Sequence, residues 1–560
     1  MSKDLDKNLK PLYDILIIGG GINGAGIALD AAMRGYSVLL VEKNDFGGST
    51  TSNSTKLIHG GLRYLEYMEF PLVRESLRER EHILQNAPHL IKPIKINFPF
   101  YGHSKRGPYI LKLGMILYDL LSYDKSMPNH SFMFNFNKKK LHDFIPTLRK
   151  KGLRGIASYF DCQALYPERL NLEIILSANC EGADTMNHFA FNSMKWDGER
   201  YTVNLTDTIN DQQYSVGAKF VVNATGPFVD NINKAIDTNI PRLMGGTKGS
   251  HILIDKFENG PEDGLYIEAI QDGRPFFILP WDEYYLVGTT DIFYNGDLDN
   301  IVATEDEVEY LLHELNYFTD SKEFTRDDVV YTYSGIRPLP YEPDKSESQV
   351  TRNHIIYDHE KKENIKNYIS IVGGKLTTYR NLAEDTIDAI EKKLGRKHKC
   401  LTKEYKLFGA KGIADIDSFK EENIEYYTNK YQIEESIVNY LIDFYGVKFI
   451  EVLKYIDLNS KLKERIDPER NDIKAQIYYA VEVEKAKTLE DIIIRRTSLG
   501  THGTLGYDTV EEIAEIAAPL LSMNENEKLK AIENYKEKIK NHYKLNEKFI
   551  EKRAEKYVAH

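Results

Sequence analysis

Five glycines, Gly19, Gly20, Gly21, Gly24 and Gly26, follow a short apolar run, and Glu42 stands eighteen residues beyond Gly24. In the spacing Gly19-x-Gly21-x-x-Gly24, glycine serves a tight turn, the approach of backbone to a pyrophosphate, and the packing of a helix on a strand. A helix that opens there presents N–H groups and the positive end of its dipole to phosphate. An acid at the distance of Glu42 accepts two ribose hydroxyls. This is dinucleotide-binding chemistry. It does not separate FAD from NAD, but the acid opposes a 2′-phosphate and so argues against NADP.

Two further stretches carry chemistry. Ser49 to Tyr64 reads STTSNSTKLIHGGLRY, a run of hydroxyl residues followed by Lys56, His59, Gly60, Gly61, Arg63 and Tyr64. Small hydroxyls suit a segment that passes close to a pyrophosphate, and a glycine pair lets backbone lie against a flat ring. Later come Gly335-Ile336-Arg337-Pro338, Arg352, and Gly373-Gly374-Lys375-Leu376-Thr377. Taken singly, such cations make surface ion pairs. Taken together beside glycine turns they suit a small dianion, with arginine as a planar fork and lysine as a point charge.

These groups need elements to hold them. Tyr13 to Ile18 (YDILII) reads as a buried strand, Ala25, Ala28, Leu29 and Ala32 as one face of the following helix, and Ser37 to Val41 (SVLLV) as a second strand: a βαβ unit. FVVNATG (220–226) and ISIVGG (369–374) repeat the strand-plus-glycine pattern. The second of these opens a helix bearing Ala383, Ile387, Ile390 and Leu394, with Gly395 as its stop. From about 240 to 335 short alternating runs (HILI, PFFILP, YYLVGTTD) predict an antiparallel sheet. Beyond roughly 400 the chain turns helical, and its charged tail from Asn524 reads as a solvated helix or frayed end.

Composition sets the outer limits. The 560 residues are 42% hydrophobic and 28% charged, the balance of a globular protein. A net charge of −12 argues against a nucleic-acid partner while leaving room for a local basic pocket. Cys162, Cys180 and Cys400 are too widely spaced for a disulfide framework or a zinc or iron–sulfur set, so buried thiols in a reducing compartment, and no metal, are expected. Met1 to Pro11 lacks the apolar core of a secretory signal, and no run approaches the roughly 18 apolar residues of a spanning helix.

At nearly full length the chain resembles the bacterial aerobic, FAD-dependent glycerol-3-phosphate dehydrogenases. The resemblance runs through the glycine fingerprint, STKLIHGGLRYLE (54–66), NATGPFVD (223–230), TKGSH (247–251), VGTTD (287–291), SGIRPL (334–339), GGKLTTYR (373–380) and IIRRT (493–497). It implies an α/β fold: a Rossmann-like FAD-binding domain (about 12–100, 150–235 and 335–400), interleaved with an antiparallel-sheet substrate domain (about 101–149 and 236–334). A C-terminal helical domain (401–560) follows.

By the same resemblance Gly19, Gly21, Gly24 and Glu42 hold the ADP half of FAD. Thr51, Ser52, Lys56, His59 and Gly60 line the pyrophosphate and ring, Thr225 and Gly226 form a second contact, and Asp291, Gly374, Lys375, Leu376 and Thr377 close around the isoalloxazine. Arg63, Tyr64, Arg337, Arg352 and Lys375 surround the substrate.

The implied reaction oxidises sn-glycerol 3-phosphate to dihydroxyacetone phosphate, with hydride passing from C2 to flavin N5 and electrons then to membrane quinone. His59 is the candidate base, beside the reading of a histidine that only hydrogen-bonds near the flavin, and Arg337 is the candidate stabiliser of the alkoxide. Such an enzyme would sit in the cytoplasm on the inner face of the membrane, with a homodimer as an open assembly state. Lys105 to Ser122, with Lys105, Arg106, Lys112 and Ile110, Leu113, Leu117, Leu120 and Leu121 at helical spacing, is the candidate contact, set against a helix packed on its own core. The alternatives are an oxygen-using glycerol-3-phosphate oxidase, an amino-acid oxidase on the same fold, and a flavin-binding redox sensor.

Overall fold

The computed structural model describes residues 9–102, 107–134, 138–345 and 350–558. Its first sheet grows from the apolar runs around the glycine motifs. Leu12–Ile18 turns Ile15 and Ile17 toward one buried layer and Leu16 and Ile18 toward another, as a central parallel strand requires. Val38–Glu42 and Gln212–Asn223 flank it in parallel, and Tyr368–Val372 and Asp184–Asn187 extend the parallel order outward. Helices Ile22–Met33, Pro167–Cys180 and Tyr379–Leu394 cover one face, and the last of them stops on the left-handed Gly395. An antiparallel meander of Phe189–Trp196 and Tyr201–Asp207 covers the other.

The strands that lead into glycine turns end level with one another. Ile18 pairs with Asn223, and Asn223 with Ser370. All three turns therefore gather along one edge of the sheet, where a parallel sheet places its ligand.

The second sheet has ten strands. Thr247–Asp255, Gly264–Glu268, Pro275–Trp281, Tyr284–Gly288 and Val329–Arg337 are joined antiparallel, as the alternating runs predict. The sheet also takes in Leu57–Ile58, Ile91–Tyr101 and Leu153–Ala164, from segments read in the sequence as flavin domain. The hydroxyl run that follows Val38–Glu42 thus leads directly into the second sheet at Leu57–Ile58.

Beyond Ile416 the regular structure is helical, with one isolated bridge, Arg465 to Ile473, among the described residues. Part of this unit packs on the second sheet: Ile492, Ile493, Val510 and Ile513 share a core with Leu253, Tyr284 and Trp281. The tail, read as a solvated helix or frayed end, is a helix that is solvated over most of its length but not on every face. Glu525–Tyr543 is capped by Asn524 and buries Tyr535 and Ile539, four residues apart on one face, and the Tyr535 hydroxyl donates to the Leu505 carbonyl.

The expectation of buried thiols also fails at one position. Cys162 is buried and Cys400 half-buried, but Cys180, the last residue of its helix, is exposed. No described helix is long and apolar enough to cross a membrane.

Pro108–Leu121 is amphipathic in an unusual sense. It buries Leu111, Met115 and Tyr118 but leaves Ile110, Leu113 and Leu120 66%, 68% and 64% exposed. Lys105 and Arg106, part of the contact expected from sequence, lie outside the described residues.

Candidate active site

One cavity of about 520 Å³ opens between the glycine-turn edge of the first sheet and the strands Thr247–Asp255 and Val329–Arg337 of the second. That volume lies in the ordinary range of cofactor and substrate sites. Gly19, Gly21, Glu42, Thr51, His59, Arg63, Tyr64, Thr225, Gly226, Asp291, Arg337, Arg352, Gly374, Lys375, Leu376 and Thr377 line it. Residues far apart in the chain are brought to one cavity.

The glycine-turn side is built from backbone. Gly19 has φ +107°, and a Cβ there would stand 2.7 Å from the Ala224 carbonyl oxygen. A Cβ at Gly24 would fall 1.9 Å from the Gly19 carbonyl oxygen, so Gly24 serves helix–strand packing and does not itself reach the cavity. Gly21 caps the helix Ile22–Met33 and has no side chain to occupy its first-turn N–H groups. Glu42 accepts from Gly20 N at 2.8 Å and Asn44 N at 3.0 Å. Burial raises its pKa above the usual carboxylate range, with those two hydrogen bonds opposing. A glycine-capped helix start, a cradle that a Cβ would fill and a half-buried acid match the phosphate and ribose of a dinucleotide.

The hydroxyl run packs against Gly335, where a Cβ would come 2.4 Å from the Asn53 carbonyl oxygen, so only glycine lets these two motifs touch. Thr50 donates to the Ile336 carbonyl at 2.8 Å, and Thr51 accepts from Ile22 N at 3.1 Å.

Three residues expected to line pyrophosphate and ring are instead turned away. Ser52 donates to the Gly47 carbonyl at 2.5 Å. Gly60 is buried, its N–H directed to Tyr118 Oη at 3.0 Å and Asp161 Oδ1 at 3.3 Å. Lys56, in the left-handed region at φ +59°, carries its ammonium over the Trp281 ring at 4.4 Å and 3.8 Å from Glu168. A buried ammonium needs a carboxylate and a π face, and it finds them behind the wall.

The opposite wall is cationic. Arg63, Arg274, Arg337, Arg352 and Lys375 line it, and the carboxylate among them is Asp291. Arg337 donates to Asp291 Oδ1 at 2.9 Å and Thr289 Oγ1 at 3.1 Å, and Arg352 lies 3.7 Å from Asp291 Oδ2. Burial would raise the Asp291 pKa, but Arg337, a hydrogen bond from Thr247, Arg352 and Arg274 hold it below the usual carboxylate range. The Lys375 ammonium donates to Ser76 Oγ at 3.1 Å and sits 4.1 Å over the Tyr64 ring. Burial lowers its pKa to about 7, against the pull of Glu75 and Glu69.

Two histidines face this wall. His59 is pinned through its backbone by Thr377 Oγ1, which accepts from His59 N at 3.1 Å. Burial lowers its pKa, with Asp161 opposing, so its imidazole is neutral near pH 7. His251 lines the cavity too, with Nε2 3.0 Å from Thr55 Oγ1, its ring stacked on Tyr333, and a buried Nδ1 lacking a hydrogen-bond partner. Sequence reasoning gave His251 no role. Its signal was a histidine in a strand whose residues 247 to 254 are all buried. Arg274 was missed as well, and its turn offers no motif that would have marked it.

Comparison with known proteins agrees with this geometry. Residues 14–373 match the family model of FAD-dependent oxidoreductases, and residues 400–528 match that of the C-terminal domain of alpha-glycerophosphate oxidase. A glycerol-3-phosphate dehydrogenase of Synechocystis sp. is 42% identical over 542 residues, covering 94% of this chain and 96% of that protein. An aerobic glycerol-3-phosphate dehydrogenase of Staphylococcus saprophyticus is 32% identical, covering 94% of each. The crystal structure of the glycerol-3-phosphate dehydrogenase from Bacillus halodurans complexed with FAD superposes with a TM-score of 0.78 at 29% identity, over 97% of this chain and 98% of that one. With the fingerprint glycines, the half-buried acid and the cationic wall on one cavity, the chain belongs to the FAD-dependent oxidoreductases, as an enzyme of their glycerol-3-phosphate dehydrogenase group with FAD as cofactor.

Proposed function

We propose that the enzyme oxidises sn-glycerol 3-phosphate at C2 to dihydroxyacetone phosphate and delivers the electrons to membrane quinone. The observation that carries this reading is the gathering of cations on one cavity: Arg63, Arg274, Arg337, Arg352 and Lys375 all line it, together with Asp291. Such a wall recruits a dianion, and a phosphate bound there holds C2 in place with binding energy drawn from a part of the substrate that does not react. When bound, FAD supplies the acceptor for the C2 hydride.

The chain's own residues supply the rest. Arg63, Arg352 and Lys375 hold the phosphate. Arg337, fixed by Asp291 and Thr289, donates to the C2 oxygen as negative charge builds on it. His59, neutral because it is buried, takes the hydroxyl proton on a ring nitrogen. Tyr64 covers Lys375 and keeps water from the ammonium.

For the membrane, we assign the exposed apolar face of Pro108–Leu121, which puts the enzyme on the cytoplasmic surface of the bilayer. Ile110→Glu/Leu113→Glu should no longer float with anionic liposomes, while the wild type does. Equal flotation of both excludes this face. Among acceptors, oxygen is the second reading, since the C-terminal family model is named for an oxidase.

Anaerobic addition of glycerol 3-phosphate should bleach the flavin band at about 450 nm. Re-oxidation by a quinone but slowly by air supports the dehydrogenase; fast re-oxidation by air with peroxide supports the oxidase. Absence of bleaching removes the substrate assignment.

A further inference from the structure

The IIRRT motif finds no place in the reaction, yet it sits behind the cofactor wall. We propose that Arg495 and Arg496, side chains of the C-terminal helical unit, are positioning residues for FAD: through Asp45 they hold the loop from Glu42 to Gly48 in its binding shape. The inference rests on the assignment of this wall to the ADP half of FAD.

Past Glu42, the last residue of its strand, the loop has no regular structure of its own. It carries Glu42, Asn44, Gly47 and Gly48 along the cavity, and few backbone bonds tie it down: Gly47 N to the Gly20 carbonyl at 3.1 Å, and its Asn44 carbonyl to His188 N at 2.8 Å. Asp45 supplies the anchor. Its Oδ2 accepts from Arg495 Nε at 2.6 Å and Arg496 Nη1 at 2.5 Å, and its Oδ1 from Arg496 Nη2 at 3.0 Å and Asn187 Nδ2 at 2.8 Å. Arg495 Nη1 lies 3.8 Å from where a Cβ on Gly48 would be, directly beneath the loop.

The arginines are themselves locked. Arg496 donates to the Glu484 and Asp491 carbonyls at 2.9 Å, and Arg495 to Asp491 Oδ1 at 3.0 Å and Glu490 at 3.1 Å. Asp491 in turn completes a capping box with Thr488 and takes His188 Nε2 at 2.8 Å.

Asp45, His188 and Asp491 bring ligand-type atoms within 4.8 Å of one another. They are not a metal site by chemistry: two guanidinium groups already occupy the carboxylates and would repel a cation. What the cluster does is order an irregular loop before the ligand arrives, so that the ordering entropy is not charged against binding. Among the described residues none beyond Thr377 lines the cavity, so the C-terminal unit acts on the cofactor site from behind, with this anchor as its ionic link to the loop.

The test is FAD affinity of the full-length apoprotein, followed by flavin fluorescence. Arg496→Met and Asp45→Asn should weaken FAD binding about tenfold to a hundredfold, the scale on which supporting residues act. Limited proteolysis of the two apoproteins should show new cleavage near Asp45. Arg470→Met is the control for plain destabilisation, because Arg470 is a buried C-terminal arginine that pairs with Asp282 and Glu283 and not with the loop. It should lower the thermal midpoint without moving FAD affinity.

If Arg496→Met fails to fold, the near-isosteric Asp45→Asn decides the matter. FAD affinity within about twofold of wild type for a folded Asp45→Asn, or an equal loss in Arg470→Met, overturns the inference. Failure of the wild type itself to bind FAD would instead overturn the assignment of the wall.

Discussion

The two walls of the cavity hold their charge in opposite ways. Behind the Glu42 loop, Arg495 and Arg496 are met by Asp45, Asp491 and Glu490, all from the protein. Elsewhere on the cavity, Arg63, Arg274, Arg337, Arg352 and Lys375 line the surface, and Arg337 and Arg352 pair with Asp291. A buried charge is tolerated only when it is paired. The first cluster satisfies that rule internally and is therefore structural. The second leaves its cations on the cavity surface, where we propose that the substrate's phosphate meets them. A group's role is thus legible less from its type than from whether the fold has already answered its charge.

The sharpest way to break that contrast is to neutralise the second cluster. Arg337→Met combined with Arg352→Met should lower kcat/KM for glycerol 3-phosphate by about 4–6 kcal/mol, on the order of 10³- to 10⁴-fold. Turnover of unphosphorylated glycerol at high concentration should change far less. A parallel loss for both substrates would mean that these arginines hold the site together and do not read the phosphate.

A smaller effect is expected at His59, the proposed proton acceptor, whose pKa burial lowers. His59→Gln should slow flavin reduction by roughly 10²-fold while KM stays within about threefold, since a base acts in the transition state more than in binding. An unchanged reduction rate would transfer the role to His251, whose Nδ1 is buried without a partner.

How much of this was readable in advance follows the same division. The glycine wall was legible because backbone chemistry needs particular residues at particular spacings: Gly19, Gly21 and Glu42 line the cavity as the fingerprint implies. The strand order around it follows from three runs that each end in glycine. Lys56 and Ser52 were misplaced for a physical reason, since a hydroxyl or ammonium within a motif can point to either side of the chain. Only the neighbours, Trp281 and Glu168 for Lys56, decide which.

His251 reaches the wall through the pairing of its strand with Val329–Arg337, and Arg274 from the turn before Pro275–Trp281, so neither carries a motif of its own. The second sheet's claim on Ile91–Tyr101 was hidden likewise, because its partners lie at Leu153–Ala164 and Gly264–Glu268. The tail was read by its charge, while the two residues that decide its burial, Tyr535 and Ile539, are a minority of its sequence.

The finest test of the contrast is Lys375, because its charge is unsettled without substrate. Burial brings its pKa down to about 7, far below the roughly 10.4 of a solvated lysine. Between those two values the unfolded chain binds a proton that the folded chain does not, so stability gains up to about 1.4 kcal/mol per pH unit as pH rises above 7. Phosphate binding has the opposite sign. It favours the charged ammonium, so above pH 7 each bound substrate must bring a proton with it. Because a phosphate monoester becomes a dianion only above about pH 6, KM should pass through a minimum near neutrality and then rise by up to about tenfold per unit. Lys375→Met should flatten both slopes and leave KM high throughout. Lys375→Arg, which keeps its charge, should extend the low-KM range upward. If above pH 7 the wild type gains stability while its KM stays flat or falls, Lys375 does not hold the phosphate, and its burial is structural after all.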